Sequence, residues 1–338
     1  MIDLDKTFSS ENSKESKISL GDKIFFLKNN NIISKENKSV NIYNIDTFQL
    51  ITKIKFHEEI IDLIQLKSGE ILILLPYKVL MLHGNSYILL STTEVKGKDY
   101  DFHYGRECES GAERIFQLSD STIAFVFNAA YDIDIYKKSE KNTLNFVKKI
   151  KTKDSCYSAC EINDNNIAYN STEDYRFGVY EIRFSHNDKV IKDLALSTQR
   201  DTMYYYKEKN YLIAVGVYLY FIDLNKFIVI KKFPLRVNMG VGANFIDFKA
   251  FKNYFFVSVF KVFVFNVDDL ELTKTIDFNQ NNEDYFIPPA LKLLFLKDKS
   301  YFYCNGRKEG YYYVNFSSDK KEFREGSRFI MKYNIIYK

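Results

Sequence analysis

The feature that most constrains this chain is a recurring polar turn. Asn30, Ser68, Asp120, Asp164, Lys209, Lys252 and Asp298 each stand between two apolar runs, at intervals of 38, 52, 44, 45, 43 and 46 residues. Self-similarity at a fixed period of roughly 40–45 residues is the signature of an array of small supersecondary units. The unit can be read over 56–94. An apolar run at 60–66 meets the turn Lys67-Ser68-Gly69, and a second run at 70–75 meets Pro76-Tyr77. A third at 78–83 meets Gly84-Asn85, and a fourth covers 87–93. Four short strands joined by tight turns are the blade of a β-propeller.

The pattern recurs in the other units. A strongly apolar second strand follows each turn, as at 123–127, 211–215 and 254–259. The third strand then alternates, as in Val40-Asn41-Ile42-Tyr43, Asp132-Ile133-Asp134-Ile135-Tyr136 and Lys261-Val262-Phe263-Val264-Phe265. Period-two alternation marks a strand with one buried face, and no dozen-residue stretch keeps a helical period. The composition agrees: 30 Phe and 26 Tyr suit a pleated, half-buried surface. Seven turns predict an all-β chain, a seven-bladed β-propeller of four-stranded antiparallel blades. It would occupy 17–338 as one domain behind a polar tail over 1–16. The ring-closing strand could come from 2–8 or from 328–337.

Several third strands end on an aromatic or apolar residue followed by a small polar one: Tyr43-Asn44, Phe265-Asn266 and Phe221-Ile222-Asp223. His57 stands near the start of the second blade. In these features the chain resembles the WD40-repeat superfamily, whose third strand ends in Trp-Asp and whose blades open on Gly-His. The resemblance is one of pattern, since the chain has no Trp and no blade carries both signatures. It implies a propeller that serves as a binding platform.

Bulk properties exclude several classes. A net charge of +4 from 48 basic and 44 acidic residues argues against nucleic acid. The basic stretch Lys148, Lys149, Lys151 and Lys153 alternates with apolar positions and reads as the wet face of a strand. Cys108, Cys156, Cys160 and Cys304 form neither a disulfide framework nor a zinc set, and are read as buried free thiols. The first twenty residues lack a secretory apolar core, and no run of about 18 apolar residues could span a membrane. A cytoplasmic or nuclear protein is expected.

Function is expected on one rim. In a four-stranded blade the second-to-third turns and the blade-to-blade connections open on the same side. Only nine arginines stand against 39 lysines, and Arg106, Arg114, Arg176, Arg200, Arg236 and Arg307 fall on or beside that rim. The rigid guanidinium fork binds carboxylate or phosphate bidentately. With Tyr131, Tyr175 and Tyr218 as aromatic anchors, these arginines predict a surface for an acidic or phosphorylated segment of a protein partner. A long connection over 92–113 lies on the same rim; if extended, its Asp99, Asp101 and His103 would point to one side. The Gly240-Val241-Gly242 stretch lacks the third glycine of a dinucleotide fingerprint. The runs Tyr204-Tyr205-Tyr206 and Tyr311-Tyr312-Tyr313 could stack bases, though packing would bury alternate members. No histidine has a partner at catalytic spacing, so the chain is read as a non-catalytic scaffold or adaptor with no cofactor and no metal. The alternatives are a structural subunit held through blade sides or the opposite rim, and a degenerate propeller hydrolase.

Overall fold

The computed structural model describes residues 2–9, 23–45, 47, 49–101, 106–127, 131–152, 156, 158–163, 166–174, 179–196, 202–235, 247–258, 262–276, 292–295, 301–307, 311–315, 320–324 and 328–337. Among them, six antiparallel sheets are each built from four consecutive strands. Blade I consists of Lys23–Phe26, Asn31–Lys35, Ser39–Asn44 and Leu50–Lys55. Blades II to VI repeat that meander over 62–94, 114–151, 159–194, 203–234 and 247–276.

The seven like blades predicted from the turn spacing are therefore six. The seventh turn, at Asp298, lies outside the described residues, and the strands around it belong to a sheet of another order. There Lys292–Phe295 pairs with Tyr301–Arg307, which pairs with Arg328–Tyr337, which pairs in turn with Ile2–Ser9. A hairpin of Tyr311–Asn315 and Lys320–Arg324 interrupts the order. Lys292–Phe295 lies beside Asp247–Phe251 of blade VI and also beside Lys23–Phe26 of blade I. The open choice between a closing strand at 2–8 or at 328–337 resolves into both, paired with each other.

Local chemistry explains the turns. Asn30, Gly69, Ser121, Asn210 and Lys252 have φ of 61°, 111°, 70°, 54° and 51°, one after the first strand of each of blades I, II, III, V and VI. In the first three blades the turn carries the same two bonds. Leu27, Leu66 and Leu118 donate to the carbonyls of Asn31, Glu70 and Thr122, while Asn30, Gly69 and Ser121 donate back to the three leucines. This is a type I turn closed by one left-handed residue, a common hairpin connection. The polar residue ending the third strand has a similar task. Asn44, Asp223 and Asn266 accept, through Oδ1, the N–H of Thr47, Asn225 and Asp268 at 2.9, 2.8 and 2.7 Å. The small polar residue after the third strand thus caps its own turn.

The second strands are the buried ones: Ile71–Leu75 and Ile123–Phe127 are inaccessible along their whole length. Each blade packs its two faces against its neighbours. Phe125 and Phe127 of blade III lie with Leu72 and Leu74 of blade II, while Ile133 and Ile135 lie with Ile167 and Tyr169 of blade IV. Tyr204, Tyr205 and Tyr206 divide in this way. Tyr204 stacks on Phe248 at 5.0 Å and Tyr206 meets Phe255 edge-on at 4.7 Å, both in blade VI, whereas Tyr205 reaches Asn163 of blade IV. The run is inter-blade packing.

Two rows of polar bonds fasten the first strands of successive blades. At their beginnings, buried Asp62 of blade II takes Lys23 Nζ of blade I at 2.6 Å and the Ile115 N–H of blade III at 3.1 Å. Arg114 Nη1 of blade III donates to Ser158 Oγ at 3.1 Å, and the same oxygen accepts the N–H of Thr202, just before blade V, at 3.2 Å. At their ends, Gln65, Gln117 and Glu161 accept from the turn of the preceding blade. The donors are the N–H groups of Lys28, Lys67 and Ser119, at 2.8, 2.6 and 2.9 Å. Removing the acceptor of a buried donor leaves that donor unsatisfied, which costs more than the bond contributes. Asp62→Ala is expected to destabilise the fold by about 2–3 kcal/mol. Urea denaturation should show a lower midpoint with unchanged slope; an unchanged midpoint would remove Asp62 from this role.

Candidate functional site

The rim expected to carry function is formed by the second-to-third turns and the blade connections. Four of its turns are tied down identically. The N–H just after the fourth strand donates to a carbonyl in the turn: Phe56 to Lys38, Val95 to Tyr77, Thr152 to Tyr131 and Leu235 to Val217, at 2.9, 2.9, 2.9 and 3.3 Å. Side chains at three of these positions stand in solvent: Tyr77 at 44%, Tyr131 at 39% and Val217 at 44% exposure. Tyr131 holds φ at 53°, a backbone state an aromatic residue occupies only where neighbours enforce it. Tyr218 begins the next strand, half buried, with Lys232 Nζ 3.7 Å from its ring centroid.

Behind Tyr131 lies a charge cluster built on two buried carboxylates. Asp132 and Asp134 project from one face of the third strand of blade III, at 1% and 4% exposure. Lys149 Nζ stands 2.6 Å from Asp132 and 3.5 Å from Asp134, and Lys151 Nζ reaches Asp132 at 2.8 Å. Two carboxylates and two ammonium groups cancel. Burial pushes the Asp134 carboxyl above the ordinary range; Lys149 opposes this, while Asp132 adds to it. Lys149 moves up as well, its burial outweighed by the hydrogen bond to Asp132 and the charges of both aspartates. The basic stretch read as a wet face therefore has a second task, since two of its lysines neutralise buried acid.

The predicted residues fall as follows. Arg114 begins the first strand of blade III, and its guanidinium is engaged by Ser158 and lies 5.8 Å from the ring centroid of Phe116. Tyr131 occupies the second-to-third turn of blade III, and Tyr218 opens the third strand of blade V next to its turn. Arg106 opens the second strand of a hairpin, opposite Asp101, and Arg307 ends the strand Tyr301–Arg307, opposite Arg328. Tyr175, Arg176, Arg200 and Arg236 lie outside the described residues, as do His103 and 240–242. The expected long connection at 92–113 is the end of the fourth strand of blade II followed by the antiparallel pair Lys96–Asp101 and Arg106–Gly111. Within it Asp99 faces Cys108 and Asp101 faces Arg106 in register. Gly111 passes so close to the Pro76 carbonyl that a Cβ would overlap it, which seats the hairpin against the Tyr77 turn.

His57, His83 and His186 are exposed, and no group of three His, Cys, Asp or Glu side chains converges among the described residues. No helix among them is long and apolar enough to cross a membrane. The joining roles of Gln65, Gln117 and Glu161 have only a faint trace in the sequence. That trace is their offset, each three residues before the turn residue of its blade.

No protein-family model and no curated protein sequence matches the chain. Among solved structures it is similar to dihydro-heme d1 dehydrogenase NirN in complex with DHE, with a TM-score of 0.62 and 12% identity, over 94% of this chain and 69% of that one. The likeness shows a shared propeller fold. At that identity it extends to nothing further, and no WD40 assignment is supported beyond the blades themselves.

Two outcomes follow. For Asp134, a folded-state pKa above its unfolded value means the native state holds the extra proton. Stability from this group is then full below the ordinary carboxyl range and falls as pH rises towards the folded value. Asp134→Asn is expected to flatten that decline and to raise the melting temperature at neutral pH relative to wild type, measured by thermal denaturation between pH 4 and 8. Burial pushes the Cys156 thiol up to about 12, so mass spectrometry should find it unalkylated by iodoacetamide in native protein and alkylated in urea.

Proposed function

We propose that this propeller is a non-catalytic interaction platform whose working surface is the rim of second-to-third turns and blade connections. The observation that carries the reading is the row of exposed Tyr77, Tyr131 and Val217 on turns each pinned by a backbone bond. Large side chains held rigidly in solvent make effective anchors, because little conformational entropy is lost when a partner covers them. Arg106, Arg176, Arg200, Arg236 and Arg307 supply the charge on this rim, and the partner is an acidic or phosphorylated segment of a protein. Arg114 serves the rim from behind by holding blade III to blade IV.

A second reading, catalysis at the channel, draws support from the likeness to a propeller dehydrogenase. Against it, Asp62, Arg114 and Ser158, the polar groups at the starts of the first strands, are engaged in joining blades. A haem-like Soret absorption in protein purified from its own cells would favour this second reading.

The test is affinity capture from native lysate with folded wild type beside a variant carrying Arg176→Ser, Arg200→Ser and Arg236→Ser, and a second carrying Tyr77→Ser and Tyr131→Ser. Both variants should lose the same partners, by about tenfold or more in recovered amount. Identical recovery with all three baits would move the interaction to another surface.

A further inference from the structure

The second-to-third turn of blade I, residues 36–39, is held at several points. The carbonyls of Asn37 and Lys38 accept the N–H groups of Ile60 and Phe56 at 2.7 and 2.9 Å, and the Glu36 N–H donates to the Ser39 carbonyl at 2.8 Å. The Glu36 carboxylate takes Ser39 Oγ at 2.7 Å and Lys53 Nζ at 2.9 Å. The backbone of this turn is therefore fixed, and its acid is already engaged.

What the turn leaves over is mainly donors. Asn37 and Lys38 are exposed, and among the described residues their N–H groups, the Asn37 amide and Lys38 Nζ have no partner. Lys55, exposed and opposite Ser39 in the ladder, has none at Nζ either. These residues line a groove of about 440 Å³ together with half-buried Phe56. The corresponding turns of blades II and V differ. In blade II Pro76, which has no N–H, stands in the place of Asn37, and Lys78 is paired with Glu58. In blade V the N–H groups of Gly216 and Val217 bond to the carbonyls of Tyr218 and Ala195, both at 2.9 Å.

Two ammonium groups without a counter-ion, beside open backbone N–H groups, suit an anion. A carboxylate brings two oxygens and a single charge. A phosphate monoester brings three oxygens and about two charges at neutral pH, and so matches this set more fully. Glu58 and exposed Glu59 stand on the connection that flanks the groove. They oppose a continuous surface of anionic headgroups more than one phosphate on a single chain.

We propose that this groove seats a phosphorylated serine or threonine of a partner segment. Lys38 and Lys55 meet its charge, the Asn37 and Lys38 N–H groups meet its oxygens, and Phe56 lies against its carbon stem. The inference rests on the reading that a protein segment lies along this rim, and it adds which group is recognised there.

The test follows the amide NMR signals of the isotopically labelled full chain. The probe is a short alanine peptide, blocked at both ends, carrying one phosphoserine, beside versions carrying serine or glutamate. The phosphopeptide should shift the Asn37 and Lys38 amides saturably at millimolar concentration, and less as salt rises. The glutamate version should bind roughly fivefold more weakly or worse, and the serine version not at all. Lys38→Ala combined with Lys55→Ala should weaken the phosphopeptide about tenfold or more, whereas Lys226→Ala in the third-to-fourth turn of blade V should not. A dispersed amide spectrum confirms that each variant is folded. The triple arginine variant of the rim should bind the phosphopeptide as wild type does, whatever the lysate capture shows, so the two readings fail separately. The proposal is overturned if the Asn37 and Lys38 amides do not move, or if the glutamate peptide binds equally well. Equal loss in Lys226→Ala, or loss in the arginine variant alone, overturns it too, as do phosphoinositide vesicles that shift these amides where the phosphopeptide does not.

Discussion

The structure depends on how one blade holds the next. Apolar faces bring blades together without fixing their register, because the attraction is non-directional. Direction comes from a few polar side chains at the two ends of the first strands. Asp62 is shared between blades I and III, and Ser158 between blade III and the approach to blade V. Each is a single residue bonded to both neighbours, so rotating one blade breaks two contacts at once. Gln65, Gln117 and Glu161 repeat the device at the other end with backbone donors. Asn44, Asp223 and Asn266, which end the third strands, cap their own turns, and the joining of blades falls to the first strands.

The order of the centre extends to the periphery. The rim turns are tied to the ends of the fourth strands by backbone bonds, so Tyr77 and Tyr131 stand exposed on turns whose backbone is pinned. Behind Tyr131 the four-charge cluster of Asp132, Asp134, Lys149 and Lys151 is internally neutral.

Much of this was legible in the sequence, for physical reasons that also mark where legibility stops. Asn30, Asp120 and Lys252 announced their turns because a polar break between two apolar runs must reach water, and the chain reverses where it does. The second strands were evident because they are inaccessible throughout, as in Ile123–Phe127. The hairpin of Lys96–Asp101 and Arg106–Gly111 read as a connection because paired strands rich in charge leave no hydrophobic period to detect. The count of seven like blades failed where strands from opposite ends of the chain share a sheet and the Tyr311–Asn315 hairpin intervenes. Turn spacing carries no information about pairings between distant segments. Of the candidate site, residue type and rim could be anticipated. That Arg114 is used up in joining blades could not, since a serine 44 residues away gives no sign in sequence that it will be the partner.

The pairing of Ile2–Ser9 with Arg328–Tyr337 has a kinetic consequence. A contact spanning nearly the whole chain forms late, because the entropy of closing so large a loop must be met before any bond rewards it. As the chain emerges from the ribosome, blades I to VI can each assemble from local hairpins, while Ile2–Ser9 must wait until Arg328–Tyr337 has been made. Until then a strand edge stays open at each end of the array, and these edges are where a chaperone would be needed and where misassembly between neighbouring copies would begin.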